Sequence, residues 1–182
     1  MSTTHSTRDR EDQYAVVGGT SAESHRGCTL VILHRGRPYN RQPYLQTLSE
    51  MDVPVMVVEG QRDSYTIESL AKEFPGVRFL LMADVSNYGL AINAAARESS
   101  SPFLLIMWSD QELKGSLDRV LATARDHDIL ALVPILRSER AETLPTMLAP
   151  ALHRRSLKVL SMPPQRGVSA TLFPFDYVAL YD

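Results

Sequence analysis

The chain has very little cysteine: Cys28 stands alone among 182 residues. No disulfide can form within it, which agrees with a reducing compartment. Several catalytic signatures are missing as well. No G-x-G-x-x-G is present, which argues against a dinucleotide-binding Rossmann site, and no G-x-x-x-x-G-K-[ST] occurs, so an ordinary P-loop is excluded. No serine sits in a G-x-S-x-G elbow, which removes support for that hydrolase chemistry. The five histidines (His5, His25, His34, His127, His153) show no helical pairing and have no cysteine partner, so no zinc site is expected. No apolar run approaches the ~18 residues of a membrane-spanning helix. Met1 to Asp12 has no apolar core, so no signal peptide is expected. The expected location is the cytoplasm or the inner face of the membrane. A formal charge of -2 gives no whole-chain reason to expect nucleic acid as a partner.

What is present is an ordinary globular composition, 44% apolar and 22% charged, in a length that suits one domain with a real core. Residues 1–26 are expected to be a disordered tail. Met1 to Gln13 is rich in Ser, Thr and charge, and Gly18-Gly19-Thr20-Ser21 is small and flexible. Tyr14-Ala15-Val16-Val17 has strand-forming residues but is assigned to that tail.

From Thr29 the chain alternates. Thr29 to His34 is a continuous apolar run of buried-strand length. Asn40 can cap a helix with Tyr44, Leu48 and Met51 on one face. Val53 to Val58 is a second strand. Ser64 can cap a helix in which Ile67, Leu70, Ala71 and Phe74 recur at helical spacing. Val77 to Met82 is a third strand. An alanine-rich helix leads from the turn at Asn87-Tyr88-Gly89 to Arg97, and Phe103 to Met107 is a buried strand. Leu117, Val120, Leu121 and Ala124 mark another helix, with Asp118 near its positive end, and Ile129 to Val133 is a fifth strand. This order predicts an α/β three-layer sandwich with a mostly parallel sheet. After Pro134 the pattern dissolves: Leu144, Met147, Leu148, Leu152 and Leu157 show no clean period. Thr171-Leu172-Phe173 reads as a further strand.

Carboxylates just past buried parallel strands stand where open α/β sheets bind ligands. Two fit. Glu59 ends the second strand, with Gly60 next and Asp63 four residues on. A carboxylate there can accept from a base or ribose, or it can be a solvated strand-end acid. Asp110 follows the Phe103 strand in the polar corner Ser109-Asp110-Gln111-Glu112. A hard divalent cation takes one or two such carboxylates plus substrate phosphates. The plainer alternative is an acid pair at a helix start. Trp108 can wall a pocket or simply fill the core.

Together these positions resemble the family 2 glycosyltransferases of GT-A fold, from about Thr29 to Leu113 and more loosely to Asp182. TLVILHRGRPYNRQPYLQTL is similar to that family's opening strand and its Asn-Arg-containing helix start. VPVMVVEG puts Glu59 where the family has an acid that contacts the nucleotide base. NYGLAINAAA carries the Asn and Gly of a donor-side pattern at Asn87, Gly89, Asn93 and Ala95, with Ala91 ahead of the family's middle alanine. FLLIMWSDQEL resembles the strand ending in D-x-D, with Asp110 at the second acidic position and Trp108 in place of the first.

The resemblance implies a UDP- or GDP-sugar donor held by Glu59, Asp63, Asn87, Gly89, Asn93 and Ser109. It implies Mg²⁺ or Mn²⁺ on Asp110, with help from Glu112, and sugar transfer with inversion to an acceptor hydroxyl. The acceptor and the sugar stay open. FPFDYVALYD is similar to the segment preceding the family's acceptor-side base, which makes Asp182 or Asp176 the catalytic candidate. A domain over 27–182, incomplete at its C-terminal end, is expected to expose Phe173, Phe175 and Tyr177 and to self-associate there. The alternative is a truncated or degenerate domain of the same fold that binds a nucleotide or a partner protein without chemistry. A nucleotidyltransferase is disfavoured, because the loop after the first strand has no glycine-rich phosphate cradle.

Overall fold

The computed structural model describes residues 14–19, 27–34, 41–60, 64–127, 130–153, 156–164, 171 and 174–182. The chain divides into two compact units, Met1–Glu112 and Leu113–Asp182.

The first unit is α/β. Its strands are β1 (Tyr14–Val17), β2 (Cys28–Leu33), β3 (Val55–Gly60), β4 (Val77–Met82) and β5 (Phe103–Trp108). They are ordered β1-β4-β3-β2-β5. β2, β3, β4 and β5 run parallel, and β1 lies antiparallel on β4 with Tyr14 opposite Met82. All six residues of β2 and of β5 are buried. Strands buried on both faces read as continuous apolar runs rather than alternating ones, which is why these segments show no period of two. The helices are α1 (Arg41–Ser49), α2 (Ser64–Glu73) and α3 (Tyr88–Glu98). Ile67, Leu70 and Ala71 form the buried stripe of α2, continued by Phe74 just past its end, and Ala91, Ala94 and Ala95 form that of α3. Small side chains on α3 let its backbone approach β4 and β2 closely.

The tail expected over residues 1–26 needs correction at Tyr14–Val17, which is an edge strand. Its anchor is a side-chain network: Tyr14 Oη donates to Glu98 Oε1 at 2.9 Å, and Arg78 Nη2 pairs with Glu98 Oε2 at 2.8 Å. Gly18 and Gly19 are packed rather than loose. Gly18 has φ +73°, and a Cβ there would lie 2.6 Å from Ala71 Cβ. The rest of the expected tail, residues 1–13 and 20–26, lies outside the described residues. At the amino edge of the sheet, the buried Thr29 hydroxyl donates to Ser101 Oγ at 2.8 Å and bonds Ser99 Oγ at 2.9 Å. The serine-rich loop before β5 thus satisfies a buried polar group.

The second unit contains α4 (Leu117–His127), with Leu117, Leu121 and Ala124 buried. It packs on β6 (Ala131–Leu132) and β9 (Ala179–Tyr181), which pair antiparallel. The expected strand at 129–133 is thus only two residues long among those described. β7 (Met147–His153) and β8 (Ser156–Met162) form an antiparallel hairpin where no periodicity is visible in the sequence. The expected strand at 171–173 falls largely outside the described residues. Val178, Ala179 and Leu180 are buried, while Tyr177 is exposed; the side chains of Phe173 and Phe175 lie outside the described set. No helix among the described residues is long and apolar enough to cross a membrane.

Candidate functional site

The candidate site belongs to the first unit, at the carboxyl edge of its parallel strands. β2 lies between β3 and β5 with matching direction, so the ends of β3 and β5 face the same edge. Glu59 is the next-to-last residue of β3, and Asp110 follows β5 by two residues. The turn at Ser109-Asp110 is pinned. Ser109 N–H donates to Leu33 O at 2.8 Å, and Gln111 closes it with a bond from its N–H to Trp108 O at 3.0 Å. The Gln111 side-chain oxygen also accepts from Trp108 N–H at 2.9 Å. Asp110 and Glu112 are both exposed.

Glu59 differs sharply. It is 2% exposed and takes an ion pair from Arg41 Nη2 at 3.4 Å. A buried carboxylate requires such compensation. Arg41 is itself 25% exposed, so its side chain stays partly open to solvent. One helical turn on, Tyr44 sits within the electrostatic reach of Asp110. Burial, and secondly the negative charge of Asp110, push the Tyr44 phenol up to about 12. It is therefore a neutral hydrogen-bonding group at physiological pH. Positions 41 and 44 share one face of α1, so this face addresses both strand ends. Pro43 is tolerated because it lies in the first turn.

Asn87 caps α3, its side-chain oxygen accepting from Leu90 N–H at 3.2 Å. That bond occupies one of the helix's otherwise open donors. Tyr88 meets Trp108 edge-to-face with ring centroids 4.8 Å apart, which fixes the start of α3 against the end of β5. Trp108 is 2% exposed: it packs as core at this edge. Gly89 is exposed, and a Cβ there would meet only Asn87 Oδ1 at an ordinary 3.7 Å. Nothing in the packing of the described residues demands glycine at that position. Asn93 is exposed one turn further along.

Of the expected site residues, Glu59, Ser109, Asp110 and Asn87 are therefore at the carboxyl edge. Gly89 and Asn93 follow on the outer surface of α3. Asp63 and Asn40 lie outside the described residues. Asp176 and Asp182 belong to the second unit and are exposed. Asp176 lies in a 3-10 turn at φ 53°, and Asp182 N–H donates to Leu130 O at 3.1 Å. No group of three or more His, Cys, Asp or Glu side chains suited to a metal occurs among the described residues. Asp110 fits a cation only in the mode where phosphate oxygens complete the coordination. Arg41 and Tyr44 join the candidate site although neither stands at a strand end. Their signal is the Asn-Arg helix start and the i, i+3 spacing that follows it.

The chain matches no protein-family model and no curated protein.

Proposed function

We propose that the chain is a glycosyltransferase-like protein of GT-A type that takes a nucleoside-diphospho-sugar at the carboxyl edge of its first unit. The observation carrying this reading is the exposed Asp110 just past one parallel strand, with the Arg41–Glu59 pair at the end of another. A diphosphate is a dianion and needs positive charge. Arg41 offers a partly exposed guanidinium, whose planar fork suits phosphate or a base carbonyl. Glu59 acts through Arg41 by holding that guanidinium in place. When bound together with the nucleotide, Mg²⁺ or Mn²⁺ supplies charge neutralisation on the leaving diphosphate, held by the Asp110 carboxylate. Tyr44 contributes a neutral phenol beside that carboxylate. Transfer with inversion further needs a base to take the acceptor's proton.

A second reading, nucleotide or partner binding without chemistry, is favoured by one observation: the position of the family's first D-x-D acid holds a buried tryptophan. Calorimetry with UDP and GDP, with and without Mn²⁺, tests binding. Donor hydrolysis and transfer assays then divide the two readings. Metal-enhanced binding with turnover supports the transferase, metal-enhanced binding without turnover supports the second reading, and no binding of either nucleotide rejects the transferase and the nucleotide-binding form of the second reading.

A further inference from the structure

The strand order β4-β3-β2-β5 places a switch point in the sheet of the first unit. From β2 the chain steps through α1 to β3 and through α2 to β4, always in one direction. Helix α3 then carries it back across the sheet to β5, on the other side of β2. With right-handed crossovers, α1 and α2 lie on one face and α3 on the other, so the carboxyl ends of β2 and β5 border an opening where parallel sheets take ligands. His34 stands there. Ile32 is level with Val57 and Leu33 with Trp108, and Ser109 N–H donates to Leu33 O at 2.8 Å. Continued past the end of β2, the same register sets His34 beside Glu59 on one side and Ser109 on the other. All six residues of β2 are buried while His34 is half-buried, so the strand first meets water at this imidazole.

Neighbouring strands lie ~4.8 Å apart, so the ends of β3 and β5 are about 10 Å from one another, with the end of β2 midway. A ligand that meets both the Arg41–Glu59 pair and Asp110 therefore passes over the end of β2. In a nucleoside diphosphate with its diphosphate at Asp110 and its base at Arg41, the part between is the ribose. We propose that His34 contacts a ribose hydroxyl and makes the site select ribonucleotides over deoxyribonucleotides, an assignment that rests on the nucleotide reading and deepens it. A hydroxyl both donates and accepts, and the ring nitrogens of an imidazole can serve either role. The diphosphate and the base are better met by a cation and by the planar fork of Arg41. A site that bonds a substrate hydroxyl discriminates against the analogue lacking it, because its own polar group loses its partner. His34 keeps contact with water, so the discrimination is held to that of one hydrogen bond, about fivefold.

The test is calorimetry of the full chain in Mn²⁺ with UDP and GDP and with the 2′-deoxy and 3′-deoxy forms of each. The nucleotide that binds is expected to lose about fivefold in affinity when the contacted hydroxyl is removed. His34→Ala is expected to weaken the ribonucleotide by the same factor and to leave that deoxy form unchanged, so the preference disappears. His34→Asn, which keeps a donor and an acceptor, is expected to retain part of it. A merely structural role for His34 would weaken all forms alike and keep the preference, and urea denaturation of each variant reports any loss of folding. Equal binding of the ribonucleotide and both deoxy forms by the parent, a comparison that needs no variant, would overturn the proposal. So would a preference that persists in His34→Ala. Either result leaves the nucleotide reading standing, whereas binding of none of these nucleotides would reject that reading and the role of His34 together.

Discussion

Arg41→Ala is the perturbation whose consequence follows most directly from the structure. Glu59 is 2% exposed and its carboxylate meets Arg41 at 3.4 Å. At an effective dielectric of ~20 the gross attraction at that distance is about 5 kcal/mol. The desolvation of both ions opposes it, and Arg41 keeps some contact with water. Removing one partner of a fully buried pair typically costs ~3–5 kcal/mol, because the remaining charge stays buried. With Arg41 25% exposed, the expected loss is smaller, about 2–3 kcal/mol. Urea denaturation of the parent, Arg41→Ala, Glu59→Gln and the double variant measures it. The double variant should be more stable than Arg41→Ala by at least about 1 kcal/mol, because the amide leaves no stranded charge. A loss under about 0.5 kcal/mol for Arg41→Ala, the range of an exposed pair, would refute the reasoning. It would mean that Glu59 is satisfied by other groups and that Arg41 is not its counter-charge.

Other outcomes follow from the same structure. Gly18→Ala should lower stability by about 2 kcal/mol or more, since it combines a left-handed backbone with a Cβ placed 2.6 Å from Ala71; thermal melting checks it. Asn87→Ala should cost ~1 kcal/mol through the lost cap, whereas Asn87→Ser should recover most of that; a nucleotide affinity lost in both would mark a contact beyond capping. Tyr44 has a folded-state pKa raised from 10.0 to about 12, so the folded protein keeps a proton that the unfolded chain releases. Its contribution is intact below pH 10 and is lost as pH rises toward 12, with a slope of at most about 1.4 kcal/mol per pH unit. Tyr44→Phe should flatten the alkaline stability curve by that slope, and a curve unchanged by the substitution would contradict it.

The parts of the fold that the sequence discloses are those where one physical signal dominates. Val77–Met82 and the α2 stripe of Ile67, Leu70, Ala71 and Phe74 coincide with expectation, because burial alone sets their pattern. β3 runs from Val55 to Gly60 rather than from Val53 to Val58, since Pro54 supplies no N–H and its carbonyl instead accepts from Leu30 at the sheet's margin. β1 was hidden for another reason: its anchors, Glu98 and Arg78, are far away in sequence, and the glycines after it look like a linker until Ala71 is seen packed on Gly18. The β7–β8 hairpin is equally opaque. Arg154-Arg155, which join its strands, carry no Asn-Gly or other glycine turn signal, and exposed strands have no buried face to impose alternation.

The candidate site was legible to the same degree. Two acids at strand ends can be read from position, and both stand at the carboxyl edge. That the buried acid is paired with Arg41 cannot be read from the sequence, because Arg41 reaches Glu59 only through the packing of α1. Trp108 shows the same dependence: its contact with Tyr88 identifies it as core, a role that residue type alone leaves open.

In the proposed function Asp110 holds a cation together with a nucleoside diphosphate. This is tested most directly by calorimetric titration of UDP and GDP into the parent chain and into Asp110→Asn, each with and without Mn²⁺. Mn²⁺ is expected to strengthen the binding of one of these nucleotides to the parent, and this gain is expected to vanish in Asp110→Asn while metal-free binding is unchanged. A gain from Mn²⁺ that persists in Asp110→Asn, or no nucleotide binding by the folded parent under any condition, would contradict it.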